Sequence, residues 1–254
     1  MSPEWISIEP QASITVLRMN RPPANTIDLE LAERFETAFD TAMEQEPGAL
    51  VLTGTGRFFS GGLNLKTVPT YSPEEQRSLL LAVNRMIGKI YACPIPVVGG
   101  INGHAVAGGL IVALGTDYRV GPTGDAQFGL TEARVGIPFP AATMIVLHAE
   151  LAPQDLRYLT LYARSFGPEE ARMRGILDEL QPPASVLERA IELAGDMAGI
   201  PPDAYRRIKY QVRGAAIQQI ENVNATGTEP MLESWISPGA KGASASILKS
   251  RGSG

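Results

Sequence analysis

Three features of the amino-acid sequence predict an α/β fold. Short apolar strands alternate with amphipathic helical stretches over the first 140 residues. Two Gly-rich segments, at 58–66 and 102–114, each follow a strand pattern, and the second opens a helix. The rest of the chain reads mostly as helix. Such alternation implies parallel strands joined by right-handed crossovers.

The elements follow in order. Ile6–Ile8 and Ile14–Met19 read as a hairpin with QAS as its turn. RPPAN at Arg21–Asn25 breaks the pattern, because proline fixes φ and lacks an N–H. Asp28 reads as the N-cap of a helix to about Met43. A strand at Ala49–Thr53 runs into GTGRFFSGG. Ser72, Pro73 and Glu75 spell a capping box with proline at the first helical position. Behind them Leu79, Leu80, Val83, Met86, Ile87 and Ile90 form one helical stripe, which Pro94 and Pro96 end. Val97 and Val98 begin a strand, Leu110–Leu114 a short apolar helix, and Asp117–Val120 a further strand. Ala142–Glu150 reads as a helix. Ser185 and Glu188 suggest another capping box before a helix to about Ala198, and Pro201–Pro202 opens the next. The closing KSRGSG reads as a frayed tail.

Composition narrows the function classes. The chain has 254 residues, enough for one sizeable core with a helical appendage, and carries a net charge of -5. That balance argues against a nucleic-acid partner and an anionic membrane surface. The single cysteine, Cys93, excludes an intrachain disulfide and fits a reducing, cytoplasmic setting. It reads as a buried structural thiol, with no base near it in sequence. The N-terminus lacks the basic-then-apolar pattern of a signal peptide. The apolar run Ala105 to Gly115 is too short to span a bilayer.

The Gly-rich segments carry the chemistry. Glycine allows close approach of backbone to ligand. Neither segment matches GxxxxGK[ST] or GxGxxG, so neither is a phosphate loop by pattern. On spacing alone, tight strand–helix packing explains them as well as binding does.

Resemblance separates these readings. RPPANTI at 21–27, FFSGGLNLK at 58–66, NGHAVAGGLIVALGTDYRV at 102–120, AQFGLTEARVGIPF at 126–139 and SFGPEEARMRGILDEL at 165–180 are similar to successive signature stretches of the crotonase (enoyl-CoA hydratase/isomerase) superfamily. The resemblance implies a spiral of ββα units in residues 1–197. It also implies a helical region at 198–254 that serves trimerisation, with Met231, Leu232 and Trp235 packing in the assembly. It further implies a homotrimer or homohexamer, a coenzyme A thioester as substrate, and no permanently bound cofactor or metal.

Carried over position by position, the resemblance makes the backbone N–H groups of Leu63 and Gly108 an oxyanion hole for the thioester carbonyl. Gly61, Gly62, Asn64, Leu65 and Lys66 belong to the same CoA-contacting loop, and Arg21, Ala24 and Thr26 to the turn lining the adenine side. Asn64 stands where the family often has aspartate. Hydratases of the family use two glutamates. The first matches Ile111, which cannot ionise, and the second matches Glu132. One retained carboxylate resembles the Δ3,Δ2-enoyl-CoA isomerases, whose proton shift from C2 to C4 needs a single base and a held dienolate oxygen. A hydratase-like or other reaction on a specialised acyl-CoA, and a catalytically silent acyl-CoA binder, stay open as alternatives.

Other residues have plainer readings. Glu132 without the resemblance is a solvated or capping residue, His104 packs, and His148 is structural. Two distant histidines make no metal site, and there is no GxSxG elbow. Asp125 reads as a solvated turn residue, and Lys66 as either a phosphate contact or a solvated cation. Lys241, Lys249 and Arg251 are candidates for the CoA 3′-phosphate from a neighbouring subunit. Acyl specificity is expected behind Ile111, Pro138 and Phe139, and near the segment Thr67–Ser72.

Overall fold

A computed structural model describes residues 5–236. The hairpin β1 (Ile6–Gln11) and β2 (Ile14–Met19) leads to α1 (Leu29–Glu44), whose N-cap Asp28 accepts from the Leu31 N–H. Then come β3 (Ala49–Thr53), β4 (Phe58–Ser60), a 3-10 turn at Val68–Thr70, and α2 (Pro73–Tyr91) behind the Ser72–Glu75 capping box. β5 (Val97–Gly100), β6 (His104–Val106) and α3 (Gly108–Leu114) follow. Next are β7 (Tyr118–Pro122), β8 (Phe128–Gly129), α4 (Glu132–Val135), α5 (Ala141–Glu150) and α6 (Pro153–Thr160). The chain closes through β9 (Ser165–Phe166), α7 (Pro168–Met173), β10 (Glu179–Gln181), α8 (Val186–Ala198), α9 (Pro202–Thr226) and α10 (Leu232–Ile236).

The strands form two sheets. One has the order β1-β2-β3-β5-β7-β10 and is parallel except for the hairpin; the other has the order β4-β6-β8-β9. β3, β5 and β7 are each followed by a strand of the second sheet, which is the ββα spiral. Parallel strands must be covered on both faces, and side-chain alternation divides the work. Leu50 and Leu52 of β3 face the main core with α1 and α2, while Ala49 and Val51 pack with Val186, Ala190 and Ala194 of α8.

The local expectations hold with a few corrections. β1 runs on to Gln11, because Ala12 takes φ 53° and closes a two-residue turn in place of QAS. The capping box at Ser185 does not form: a 3-10 turn at Pro183–Ser185 leads straight into α8, and Ser185 has a helical backbone without a side-chain cap bond. The strand expected from Asp117 starts at Tyr118. The Asp117 carboxylate instead accepts from the Val97 N–H (2.8 Å) and from Tyr205 (2.8 Å), Lys209 (2.7 Å) and Arg213 (2.7 Å), which anchors α9. The small strands of the second sheet were not legible one by one. At two or three residues, they show no periodicity.

The segment after α9 is tied down by Glu229. Its carboxylate accepts from Asn84 Nδ2 (3.0 Å), the Ala141 N–H (3.0 Å) and the Met231 N–H (3.2 Å). Asn84 Oδ1 in turn accepts from the Ala142 N–H (3.0 Å). These bonds hold α10 against α2, over the region where the two Gly-rich segments meet.

Candidate active site

Two loops meet at the heart of the molecule. In the first, Ile27 forms a parallel bridge with Leu63: the Ile27 N–H donates to Gly62 O (2.7 Å) and the Asn64 N–H to Ile27 O (2.7 Å). This pairing uses the groups on either side of Leu63 and leaves the Leu63 N–H without an acceptor among the described residues. In the second, Ala107 holds φ 51°, ψ -132°, a costly conformation for a residue with a Cβ. Gly108 then opens α3, and its N–H too lacks an acceptor among the described residues. The loops touch tightly. A Cβ on Gly62, itself at φ +75°, would lie 2.8 Å from Gly108 N, and one on Gly109 would lie 2.1 Å from Ser60 O. The two unspent N–H groups therefore sit on neighbouring strands of backbone, the arrangement that receives an oxyanion.

Asn25 organises the first loop. It is buried at φ 48°, accepts from the Arg21 N–H (2.8 Å), and donates to Phe58 O (2.9 Å) and, more weakly, to Thr55 O and Phe59 O (3.2 Å each). Asn64 donates to Asp28 Oδ2 (3.3 Å), and its own Oδ1 accepts from the Lys66 N–H (3.2 Å). Beside Asp28, an amide at position 64 donates a bond that a carboxylate cannot. Burial opposes ionisation of Asp28, but Arg21 at 2.6 Å, the Leu31 N–H and Asn64 together hold its pKa below the usual value.

Glu132 is the first residue of α4, not a loop residue, and is only 7% exposed. Gly136 ends the turn at φ 70°, and Arg134 fastens it by donating to Ala163 O (2.6 Å). Burial pushes the Glu132 carboxyl up to about 7; the backbone N–H groups of Glu132 and Thr131 offset only part of that effect. Its Oε2 has no hydrogen-bond partner among the described residues.

Two cavities meet at this point. The outer one, about 500 Å³, includes Phe58, Gly61, Leu65 and His104 in its wall. The inner one, about 30 Å³, is lined by Ile27, Met86, Gly108, Ile111, Thr143 and Trp235 among others. Leu63 and Glu132 line both, and Glu132 is the one carboxylate lining either among the described residues.

A family model described as enoyl-CoA hydratase/isomerase matches residues 9–242. The chain belongs to that family, the crotonases. A curated relative from Thermus thermophilus, a putative enoyl-CoA hydratase, is 33% identical over 204 residues, which cover 77% of this chain and 79% of the relative. Among solved structures, an enoyl-CoA isomerase of Mycobacterium tuberculosis is 28% identical with a TM-score of 0.82, over 88% of this chain and 97% of that one. Human mitochondrial delta3-delta2-enoyl-CoA isomerase overlays with a TM-score of 0.91 over 99% of this chain and 100% of that one; at 24% identity it speaks for the fold alone.

The crotonase positions read from the sequence distribute unevenly here. Gly61, Leu63, Leu65, Gly108, Ile111 and Glu132 line the cavities. Gly62, Asn64, Arg21, Ala24 and Thr26 lie behind them: Ala24 O accepts from the Gly61 N–H (2.8 Å), and Arg21 is spent on Asp28 and lies over the Trp5 ring at 4.0 Å. Lys66 is exposed. His104 packs on Phe58 with ring centroids 4.8 Å apart, its Nδ1 accepts from the Gln127 N–H (3.1 Å), and the residue lines the outer cavity. Cys93 is buried, and desolvation pushes its thiol up to about 11. Asp125 is exposed beside Arg57 (4.0 Å). Pro138 lines the inner cavity, whereas Phe139 packs on the main core. Trp235 is 4% exposed within its own chain, where it lines the inner cavity. Lys241, Lys249 and Arg251 lie outside the described residues. Among the described residues no cluster of His, Cys, Asp or Glu suits a metal, and no helix is long and apolar enough to cross a membrane.

Proposed function

We propose that this crotonase isomerises a 3-enoyl-CoA to the 2-enoyl-CoA with Glu132 as its single acid–base group. The observation that carries the reading is the pairing of Glu132 with Ile111. The hydratase position for a second glutamate holds an isoleucine, 2% exposed, on the wall of the same inner cavity.

The thioester oxygen sits between the Leu63 and Gly108 N–H groups. Glu132 takes a proton from C2; the electron pair moves into the C1–C2 bond and charge appears on that oxygen. Fixed donors meet the charge, each lowering the barrier by about 3 kcal/mol. The conjugated dienolate then takes the proton back from Glu132 at C4, and the double bond ends between C2 and C3. A carboxyl held near 7 by burial serves both transfers, since it gives and takes a proton with little penalty at neutral pH. The CoA portion leaves through the larger outer cavity, which reaches exposed residues such as Gln127 and Arg134.

The test is a side-by-side assay with 3-pentenoyl-CoA and with crotonyl-CoA in water. Isomerisation of the first with little hydration of the second is the expected result. Strong hydration of crotonyl-CoA overturns the one-glutamate mechanism. Thioester binding without either reaction favours a silent acyl-CoA binder.

A further inference from the structure

The inner cavity contains more polar capacity than the isomerisation uses. Of its lining side chains, only Glu132, Thr143 and Trp235 bear polar atoms. Thr143 spends its hydroxyl proton on Pro140 O (2.6 Å). Glu132 is taken by the proton shift. That leaves the Trp235 indole N–H, which is buried and has no acceptor among the described residues. A buried donor without a partner costs about 1–3 kcal/mol, and the Glu229 clamp on Asn84 and Ala141 holds the segment that bears Trp235 in place. The remaining wall is apolar, from Ile27, Met86 and Ile111 among others. The free space, about 30 Å³, is small, enough for an ordered water or a small polar group.

We infer that the acyl group this site takes is short and carries a hydrogen-bond acceptor, an oxo or hydroxyl oxygen, at its far end, to which the Trp235 indole N–H donates. The inference rests on reading the site as one for acyl-CoA. With the carbonyl held at Leu63, which lines both cavities, and at Gly108, which lines the inner one, the acyl chain points inward and the CoA outward. The small inner space favours a short acyl chain, and the unspent donor selects the chemistry of its far end. A site that donates to a substrate oxygen disfavours the apolar isostere, because binding the isostere leaves the donor buried and unpaired.

The test is calorimetric titration with unreactive saturated thioesters: butyryl-CoA, 4-oxopentanoyl-CoA and its near-isostere 4-methylpentanoyl-CoA. Wild type is expected to favour the oxo compound over the methyl compound by about tenfold or more. Trp235→Phe keeps the aromatic bulk and is expected to lose that preference, read as the ratio of the two affinities, so that any general change in thioester binding, followed with butyryl-CoA, cancels. In a Trp5→Phe protein, where Trp235 is the remaining tryptophan, indole emission is expected to respond to the oxo compound and not to the methyl one. Equal affinity of wild type for the two isosteres, or a preference that survives Trp235→Phe, overturns the inference; an ordered water then satisfies the indole. Failure of all three thioesters to bind overturns it together with the acyl-CoA reading. Absence of isomerase turnover with the oxo preference intact removes the isomerase reading alone.

Discussion

The bridge between Ile27 and Leu63 frees the Leu63 N–H by consuming the groups beside it. The free donor at Leu63 is thus made by pairing, since a parallel bridge bonds one residue to the neighbours of its partner. The free N–H is a property of two segments, and its worth depends on Glu132 and on the packing of α3 against the loop.

Glu132→Gln is expected to lower kcat for the isomerisation by about 10²–10⁴-fold and to leave binding of butyryl-CoA nearly unchanged. Single-turnover kinetics beside a titration separates the two. In wild type the base must be ionised, so kcat is expected to rise with pH through about 7 and then level.

The same carboxyl predicts a stability signature. Its folded pKa, about 7, lies above the unfolded value near 4.5, so folding binds a proton between these values. The favourable contribution is complete below about 4.5 and is lost as pH rises through about 7. Relative to Glu132→Gln, wild type is therefore expected to lose on the order of 3 kcal/mol between pH 4 and pH 8. Melting curves of both proteins at the two pH values check this: the gap between them should open only at the higher one.

Gly109→Ala and Gly108→Ala should diverge. A Cβ on Gly109 meets the Ser60 carbonyl at 2.1 Å, a backbone atom that cannot step aside. One on Gly108 meets Gly62 Cα and Ile27 Cδ1 at 3.6 Å, ordinary contact. Gly109→Ala is expected to cost about 1–3 kcal/mol of stability and to displace the second donor, with a loss in kcat of about 10²-fold. Gly108→Ala is expected to melt within a few degrees of wild type.

Asn64→Asp restores the residue often found at this position in the family, yet here it is expected to destabilise. It replaces a donor 3.3 Å from Asp28 Oδ2 with a second carboxylate. The repulsion, partly screened and shared with Arg21, is expected to cost about 1–2 kcal/mol at neutral pH and to fade as pH falls through the carboxylate range. Chemical denaturation at pH 7 and pH 4 measures it.

Glu229→Ala leaves Asn84 Nδ2 and the Ala141 N–H without their acceptor. A loss of about 2–3 kcal/mol is expected, together with faster hydrogen exchange across 229–236 and weaker discrimination among acyl chains, as Trp235 loses its anchor.

Much of this was legible in the residues themselves. The N-cap Asp28, the box at Ser72 and Glu75, the strand Ala49–Thr53 and the stripe along α2 follow from neighbours within a turn or two, where local hydrogen bonding and periodicity act. The two signature segments and the missing acid at Ile111 were likewise visible as residue types in order. The box at Ser185 failed for an equally local reason, the 3-10 turn that precedes it.

Tertiary structure decided the rest. No spacing shows that Ile27 leaves the Leu63 N–H unspent, that Asn25 pins the first loop to β4, or that Asn64 answers Asp28 from 36 positions away. Burial of Glu132 is a sum over loops and helices as far apart in sequence as Ile27 and Trp235, and that sum raises its pKa. Trp235 carried no sign of the active site in its own neighbourhood; a carboxylate at Glu229, bonded to the start of α5 and to α2, brought it there. The order of residues determined which elements form and which acid is present. Long-range desolvation and hydrogen bonding determined which groups stay free to act, because both depend on every segment that packs against the site.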